Sequence, residues 1–191
     1  MRSVTGRAML ICAAGLVFAI PLFGEDYPRT EVFGWVGWGR WWDNQGSPVG
    51  GVNGGAGIGR RLLPQFAIEG EVNAFSGTRG FPGPASPYRA RGVHIMGNGL
   101  LYAFRTERTQ VFVLLGAGAA HSTTEINFVD YHNILSASGL VANAGMGMKI
   151  FIGKHVALRP EIRLIAGSAG SSAIEPFSAE LRFSLGLGYH W

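Results

Sequence analysis

The 191-residue chain is 47% hydrophobic and 15% charged, with 30 glycines, one cysteine and a formal net charge of +4. Glycine at about twice its usual share, with no three-residue repeat and beside 12% aromatics, excludes collagen and a disordered linker. Charge well below the roughly 25% of an average soluble domain leaves a folded, strand-rich chain with a large apolar surface to place.

The first segment reads as an address. Arg2 and Arg7 precede an uncharged stretch from Ala8 to Phe23 that stops at Gly24, before Glu25 and Asp26. A basic start, an apolar middle, a small residue and a polar continuation are the parts of a secretory signal peptide. The stretch contains Pro21 and falls short of the about 18 residues that a membrane helix needs. We therefore expect a signal peptide over residues 1–24 and a single domain over 25–191. Cleavage there would leave 14 basic against 12 acidic residues and would remove Cys12, the only cysteine. Disulfides, thiol catalysis and cysteine metal sites are then excluded. No basic tract remains to track phosphates, which disfavours nucleic acid as a partner.

Beyond the leader no apolar run approaches a spanning length; the longest, Val111 to Ala120, is about ten residues. A membrane protein made of such segments can only be a barrel, because only closure pairs every backbone group in lipid. In chain order, Glu31 to Trp42 and Gly50 to Arg61 are rich in glycine and tryptophan, and the phase of the first is open. From Phe66 to Phe75, Ile68, Gly70, Val72 and Ala74 face away from Glu69, Glu71 and Asn73. Arg91 to Phe104 reads as extended, but His94, Asn98 and Tyr102 share a parity with apolar neighbours, so its inward face is also open.

Val111, Val113, Leu115, Ala117 and Ala119 form one face of the fifth strand. Leu140, Ala142, Ala144, Met146, Met148 and Ile150 form that of the sixth. Val156, Leu158, Pro160, Ile162 and Leu164 alternate with Ala157, Arg159, Glu161 and Arg163 in the seventh. In the eighth, Phe177 to Trp191 alternates strictly, with Glu180, Arg182 and small residues on the second face. Strict period two marks strands with one apolar and one polar or small face.

Even-numbered links (Arg61 to Pro64, Arg105 to Gln110, Gly153 to Lys154) are short. Links three, five and seven (Ser76 to Arg89, His121 to Ser136, Gly167 to Pro176) are long and carry loop-forming residues, while link one, Asp43 to Pro48, is compact. Short turns at one end and long loops at the other, with an even strand number, predict an all-β fold: an eight-stranded antiparallel up-and-down transmembrane β-barrel.

Eight strands leave an interior just wide enough for side chains to fill. Glu69, Glu71, Glu161 and Glu180 and the bases Arg159, Arg163 and Arg182 fall on the expected inward faces. Unpaired charges are prohibitive in such an interior, so these should interlock, Arg163 and Arg182 with Glu161 and Glu180, and plug the lumen. Trp38, Trp41 and Trp42, with Tyr189 and Trp191, are expected at the headgroup level, where an apolar ring and a polar edge are both satisfied.

Two stretches carry a family likeness. The alternating end from Leu185 to Trp191 looks like the C-terminal signature of outer-membrane barrels, and Leu158-Arg159-Pro160-Glu161-Ile162-Arg163-Leu164 resembles the penultimate strand of the small OmpA-like outer-membrane barrel domain family. The resemblance implies export through the periplasm, insertion in the outer membrane by the barrel-assembly machinery and contact with outer-membrane lipid. It implies no catalytic residue, and no peptidoglycan-binding domain is expected after Trp191.

Chemistry-bearing patterns are sparse. His121, Thr123 and Glu125 share a face if the fifth strand continues, but adjacent Ser122 would point away, and the His-x-Ser spacing of lipid A deacylases is replaced by His-x-Thr. His94, His121, His132, His155 and His190 are scattered without ligand spacing, so no metal or other cofactor is expected. Asp130 to Asn133 reads as a solvated loop. Gly54, Gly55, Gly57 and Gly59 lack a following Lys-Ser or Lys-Thr pair, so no phosphate loop is expected.

The expected role is structural or surface-interacting, with the long loops facing an extracellular partner that the sequence does not name. A small porin-like or apolar-solute transport barrel is the alternative. A lipid A-modifying hydrolase and a lipocalin-like carrier stand further back.

Overall fold

Alternating residues place successive side chains on opposite faces of a strand, and the computed structural model of the chain converts that pattern into eight strands. It describes residues 30–42, 48–79, 88–128, 131–168 and 179–191. The expected signal segment, and the centres of links one, three, five and seven, lie outside the described residues. The strands are β1 (Thr30–Trp42), β2 (Pro48–Leu63), β3 (Phe66–Arg79), β4 (Tyr88–Arg105), β5 (Thr109–Phe128), β6 (Tyr131–Phe151), β7 (Val156–Ser168) and β8 (Ala179–His190). Each pairs antiparallel with its chain neighbours, and β1 pairs with β8 to close the barrel. The seam is tied at the chain ends, where Thr30 and Trp191 exchange both backbone hydrogen bonds at 3.0 Å.

One end of the barrel carries Thr30, Trp191 and the short turns after β2, β4 and β6. Register irregularities between Arg61 and Leu63 and between Tyr102 and Phe104 sit beside two of those turns. Bulges at a barrel rim let a strand end pairing and turn sharply. In the β6–β7 ladder, pairing breaks between Gly147↔Glu161 and Ile150↔Leu158. Pro160 lies in that gap and has no N–H to donate.

Link five is the main departure from expectation. His121 to Ser136 is not a long loop: β5 continues to Phe128 and β6 begins at Tyr131, so the two form a hairpin of strands 20 and 21 residues long. About 9–11 residues suffice to cross a bilayer, so this hairpin projects well past the apolar band. Its outward residues change there from Ala119 and Leu140 to His121 and Ser138, and then to Thr123 and Ser136. Tyr131 to Asn133 therefore lie on β6 rather than in a loop, and Asp130 is outside the described residues. Link three is shortened in the same way, since β3 reaches Arg79 and β4 starts at Tyr88, whereas link seven is shifted along the chain, β7 reaching Ser168 and β8 starting at Ala179.

The two open phases are settled by burial. On β1 the inward row is Glu31, Phe33, Trp35, Gly37, Gly39 and Trp41, and on β4 it is Ala90, Gly92, His94, Met96, Asn98, Leu100 and Tyr102. The outward rows hold exposed Val36, Val52, Ile95, Leu115, Leu140, Met146, Leu185 and Leu187. Charge and amide are inside and hydrocarbon is outside.

Candidate functional site: the lumenal charge network

Four strands supply the centre of the network. β3 presents Glu69 and Glu71, β7 presents Arg159, Glu161 and Arg163, β1 presents Glu31, and β6 presents Lys149, all buried. Arg159 donates Nη1–H to Glu69 Oε1 at 2.8 Å and Nη2–H to Glu69 Oε2 at 2.6 Å, while its Nε–H goes to Glu161. Arg163 donates Nε–H to Glu161 Oε2 at 2.7 Å and Nη1–H to Glu71 Oε1 at 2.6 Å. Two-point guanidinium–carboxylate contacts fix orientation as well as charge. Lys149 pairs with Glu31 and donates to Tyr102 Oη at 2.9 Å, with Glu69 Oε1 3.7 Å away.

Aromatic rings line the same layer. The Arg159 guanidinium lies 4.1 Å from the centre of the Phe33 ring, and that of Arg182 lies 4.3 Å from Trp35. Such faces attract a cation that has lost its water. Glycines on the inward rows make the space: a Cβ on Gly147 would stand 2.7 Å from the Phe112 ring and 2.8 Å from Glu161 Cγ. Gly55 and Gly57 likewise sit under Trp35 and Phe33, which gives the run of glycines on β2 a packing role.

Among the described residues, the buried carboxylates Glu31, Glu69, Glu71, Glu161 and Glu180 face buried Lys149, Arg159, Arg163 and Arg182. Half-buried Arg61, donating to Gln110 Oε1 at 2.6 Å, adds the fifth cation at the short-turn end. At that end the recess between Glu31, Arg61, Glu69, Tyr102, Lys149 and His190 measures about 10 Å³, room for about one water.

Expected partners are partly extended. Arg163 meets Glu161, and Arg182 makes an ion contact with Glu71, at 3.5 Å, while Glu180 remains a charge neighbour beyond contact distance. Stacking on Trp35 draws Arg182 toward the central layer, while Glu180 lies beside Gly39 in the layer of Asn53 and Trp41: a Cβ on Gly39 would be 2.9 Å from Glu180 Oε1 and 3.0 Å from Asn53 Nδ2. In that upper layer Asn143 donates to Asn98 Oδ1 at 2.9 Å, and the Asn73 amide meets His94 Nδ1 at 3.3 Å.

Glu31, Lys149, Tyr102 and His190 belong to the network and were not among the expected charges. Their parity is the signal that places them, once the phases of β1 and β4 are known.

The aromatic set divides. Trp38, Tyr189 and Trp191 are about half exposed on the outer wall, and Trp42 is half-buried with the Arg40 guanidinium 5.9 Å from its ring. Trp41 is a correction: it is buried in the lumen, its ring 5.4 Å from that of Phe75. Adjacent residues of a strand face opposite ways, so Trp41 and Trp42 cannot both meet lipid.

The triad-like residues separate as geometry requires, His121 outward and Ser122 buried inward. His121 Nδ1 instead meets Ser138 Oγ across the β5–β6 ladder at 2.8 Å. Glu125 is four residues farther along, about 13 Å at strand rise, so it does not orient the imidazole. His155 stacks on Tyr189, their ring centres 5.7 Å apart. Among the described residues no group of three His, Cys, Asp or Glu side chains is placed to hold a metal ion.

No protein-family model matches the chain, and no curated protein matches it in sequence. Solved structures do match. Neisserial surface protein A superposes with a TM-score of 0.57 at 14% identity, covering 87% of this chain and 100% of the other. The attachment invasion locus protein Ail of Yersinia pestis gives 0.55 at 12% identity, over 86% of this chain and 99% of that one. A major outer membrane protein of Thermus thermophilus gives 0.57 at 11% identity, over 84% and 99%. At such identities the likeness concerns the backbone, and the fold is that of the eight-stranded outer-membrane barrels.

Proposed function

We propose that this chain is an integral outer-membrane barrel with a structural and surface-interaction role, its lumen closed by side chains and its longer inter-strand segments turned to the cell exterior. The inverted sidedness carries this reading: charged and amide side chains are buried inside a wall whose outer rows are aliphatic. A water-soluble carrier of apolar ligands needs the opposite arrangement, and an exposed apolar band of this extent marks a lipid or protein interface. Export through the periplasm and insertion by the barrel-assembly machinery through β8 complete the proposal, with the partner at the exterior still to be identified.

The packed centre favours this role over solute transport. Arg159 and Arg163 span from β7 to β3, on opposite walls, and close the lumen with ion pairs. The chain refolded in detergent should migrate differently on a gel with and without boiling, incorporate into phospholipid vesicles, and show no steady single-channel conductance in planar bilayers. A steady conductance would move the reading to the porin-like alternative. A water-soluble product with no heat-dependent migration would remove the membrane reading.

A further inference from the structure

The outer wall is not uniformly convex. Where β2, β3 and β4 meet, a groove of about 610 Å³ opens on the outside, within the range of about 300–1,000 Å³ typical of small-molecule sites. Its walls are exposed Ile58 and Ile68, and its floor includes Gly70 and Gly97, which are paired in register and whose absent side chains leave open space. At the short-turn end it finishes at Arg60 and Thr30, also paired in register, with Arg60 exposed.

We infer that this groove binds one anionic glycerophospholipid, an acyl chain lying over Gly70 and Gly97 and the phosphate meeting Arg60 and the Thr30 hydroxyl. The inference rests on the membrane reading above. A barrel in a bilayer has hydrocarbon against this wall, and a groove one chain deep removes the void that a smooth lipid annulus would leave, while a guanidinium at its end matches a phosphate in charge and fork geometry. Charge complementarity argues against a second copy of the barrel. Among the described strand residues the only outward carboxylate is Glu125, at the opposite end, so a second copy could answer Arg60 only through Glu107 in the short turn after β4 and not through the apolar wall that would fill the groove.

The test is native mass spectrometry of the full chain, folded in detergent micelles and supplied with dioleoyl phosphatidylglycerol or dioleoyl phosphatidylcholine. The expected result is one phosphatidylglycerol retained under collision conditions that strip the detergent, with less phosphatidylcholine. Arg60→Gln should lower retention roughly tenfold, the size of one charge-assisted hydrogen bond. Gly70→Leu with Gly97→Leu should abolish it, heat-dependent gel migration showing each variant folded, and Arg91→Gln should retain lipid as the parent does. Equal retention by every variant, or equal retention of both lipids, would overturn the inference. A dimer mass lost on filling the groove would assign the face to a second copy instead. A chain that inserts in vesicles yet retains no lipid defeats the groove alone, whereas one that never inserts defeats the membrane reading and the groove together.

Discussion

Arg159 on β7 clasps both carboxylate oxygens of Glu69 on β3, at 2.8 and 2.6 Å. These strands stand four apart in a closed ring of eight, so the pair ties opposite walls across the lumen. Breaking a buried pair strands a charge and costs about 3–5 kcal/mol, whereas replacing both partners by apolar groups of similar volume is often neutral or stabilising by ~1–4 kcal/mol. Arg159→Met and Glu69→Leu should each destabilise the barrel by about the former amount, and the two together by much less than their sum. Urea unfolding from phospholipid vesicles reads all of these, and additive losses across a double-mutant cycle would show that the clasp carries no coupling.

The glycines can be separated by what surrounds them. A Cβ on Gly147 would press on Phe112, Glu161 and the Pro160 carbonyl, whereas one on Gly70 would meet nothing within 4 Å. Overpacking a filled interior costs about 1–3 kcal/mol. Gly147→Ala should lower stability by about that much and Gly70→Ala should leave it within about 0.5 kcal/mol or raise it, by the same urea measurement. Equal effects would mean that the lumen yields freely around Gly147.

Most of the architecture was legible because lipid enforces a period of two: wherever one face meets hydrocarbon and the other meets charge, as from Val156 to Leu164, parity alone assigns both. Parity failed where the two faces are chemically alike. On β1, Trp35 and Trp41 face the lumen and Trp38 and Trp42 the exterior, with glycines on both rows. On β4, Leu100 and Tyr102 build an apolar layer inside the barrel. The projecting part of β5–β6 failed for the converse reason: outside the apolar band the outward row carries His121, Thr123, Ser136 and Ser138 and the inward row carries Ser122 and Thr124, so both faces are polar and a ladder can continue without any amphipathic pattern. Which arginine meets which glutamate lay beyond parity altogether, since Arg182, stacked on Trp35, touches Glu71 on β3 as well as lying near Glu180 on its own strand.

Tryptophan provides an independent test of sidedness. Trp38 and Trp191 are about half exposed on the outer wall, and Trp35 and Trp41 are buried in the lumen. In variants keeping one of these with the remainder of the five changed to Phe, brominated acyl chains should quench Trp38 and Trp191 strongly and Trp41 weakly. Strong quenching of Trp41 would place it on the lipid face and undo the assigned phase of β1.

The projecting hairpin makes the most direct prediction about the band's edge. Ser136 and Thr123 face outward with their hydroxyl oxygens 3.2 Å apart, beyond the row of His121 and Ser138, while Leu115 and Ala144 are paired on the same wall inside the apolar band. Cys12 is the only native cysteine, so with Cys12→Ala each introduced thiol reports alone. In proteoliposomes oriented with the hairpin outward, Ser136→Cys should react with a charged, membrane-impermeant maleimide within the time that free thiol does. Leu115→Cys and Ala144→Cys should stay protected until detergent is added, because hydrocarbon excludes the reagent. Reaction of Ala144→Cys at the rate of Ser136→Cys would move the band's edge down the wall. It would shorten the spanning part of β5 and β6 below the about 9–11 residues that a bilayer requires.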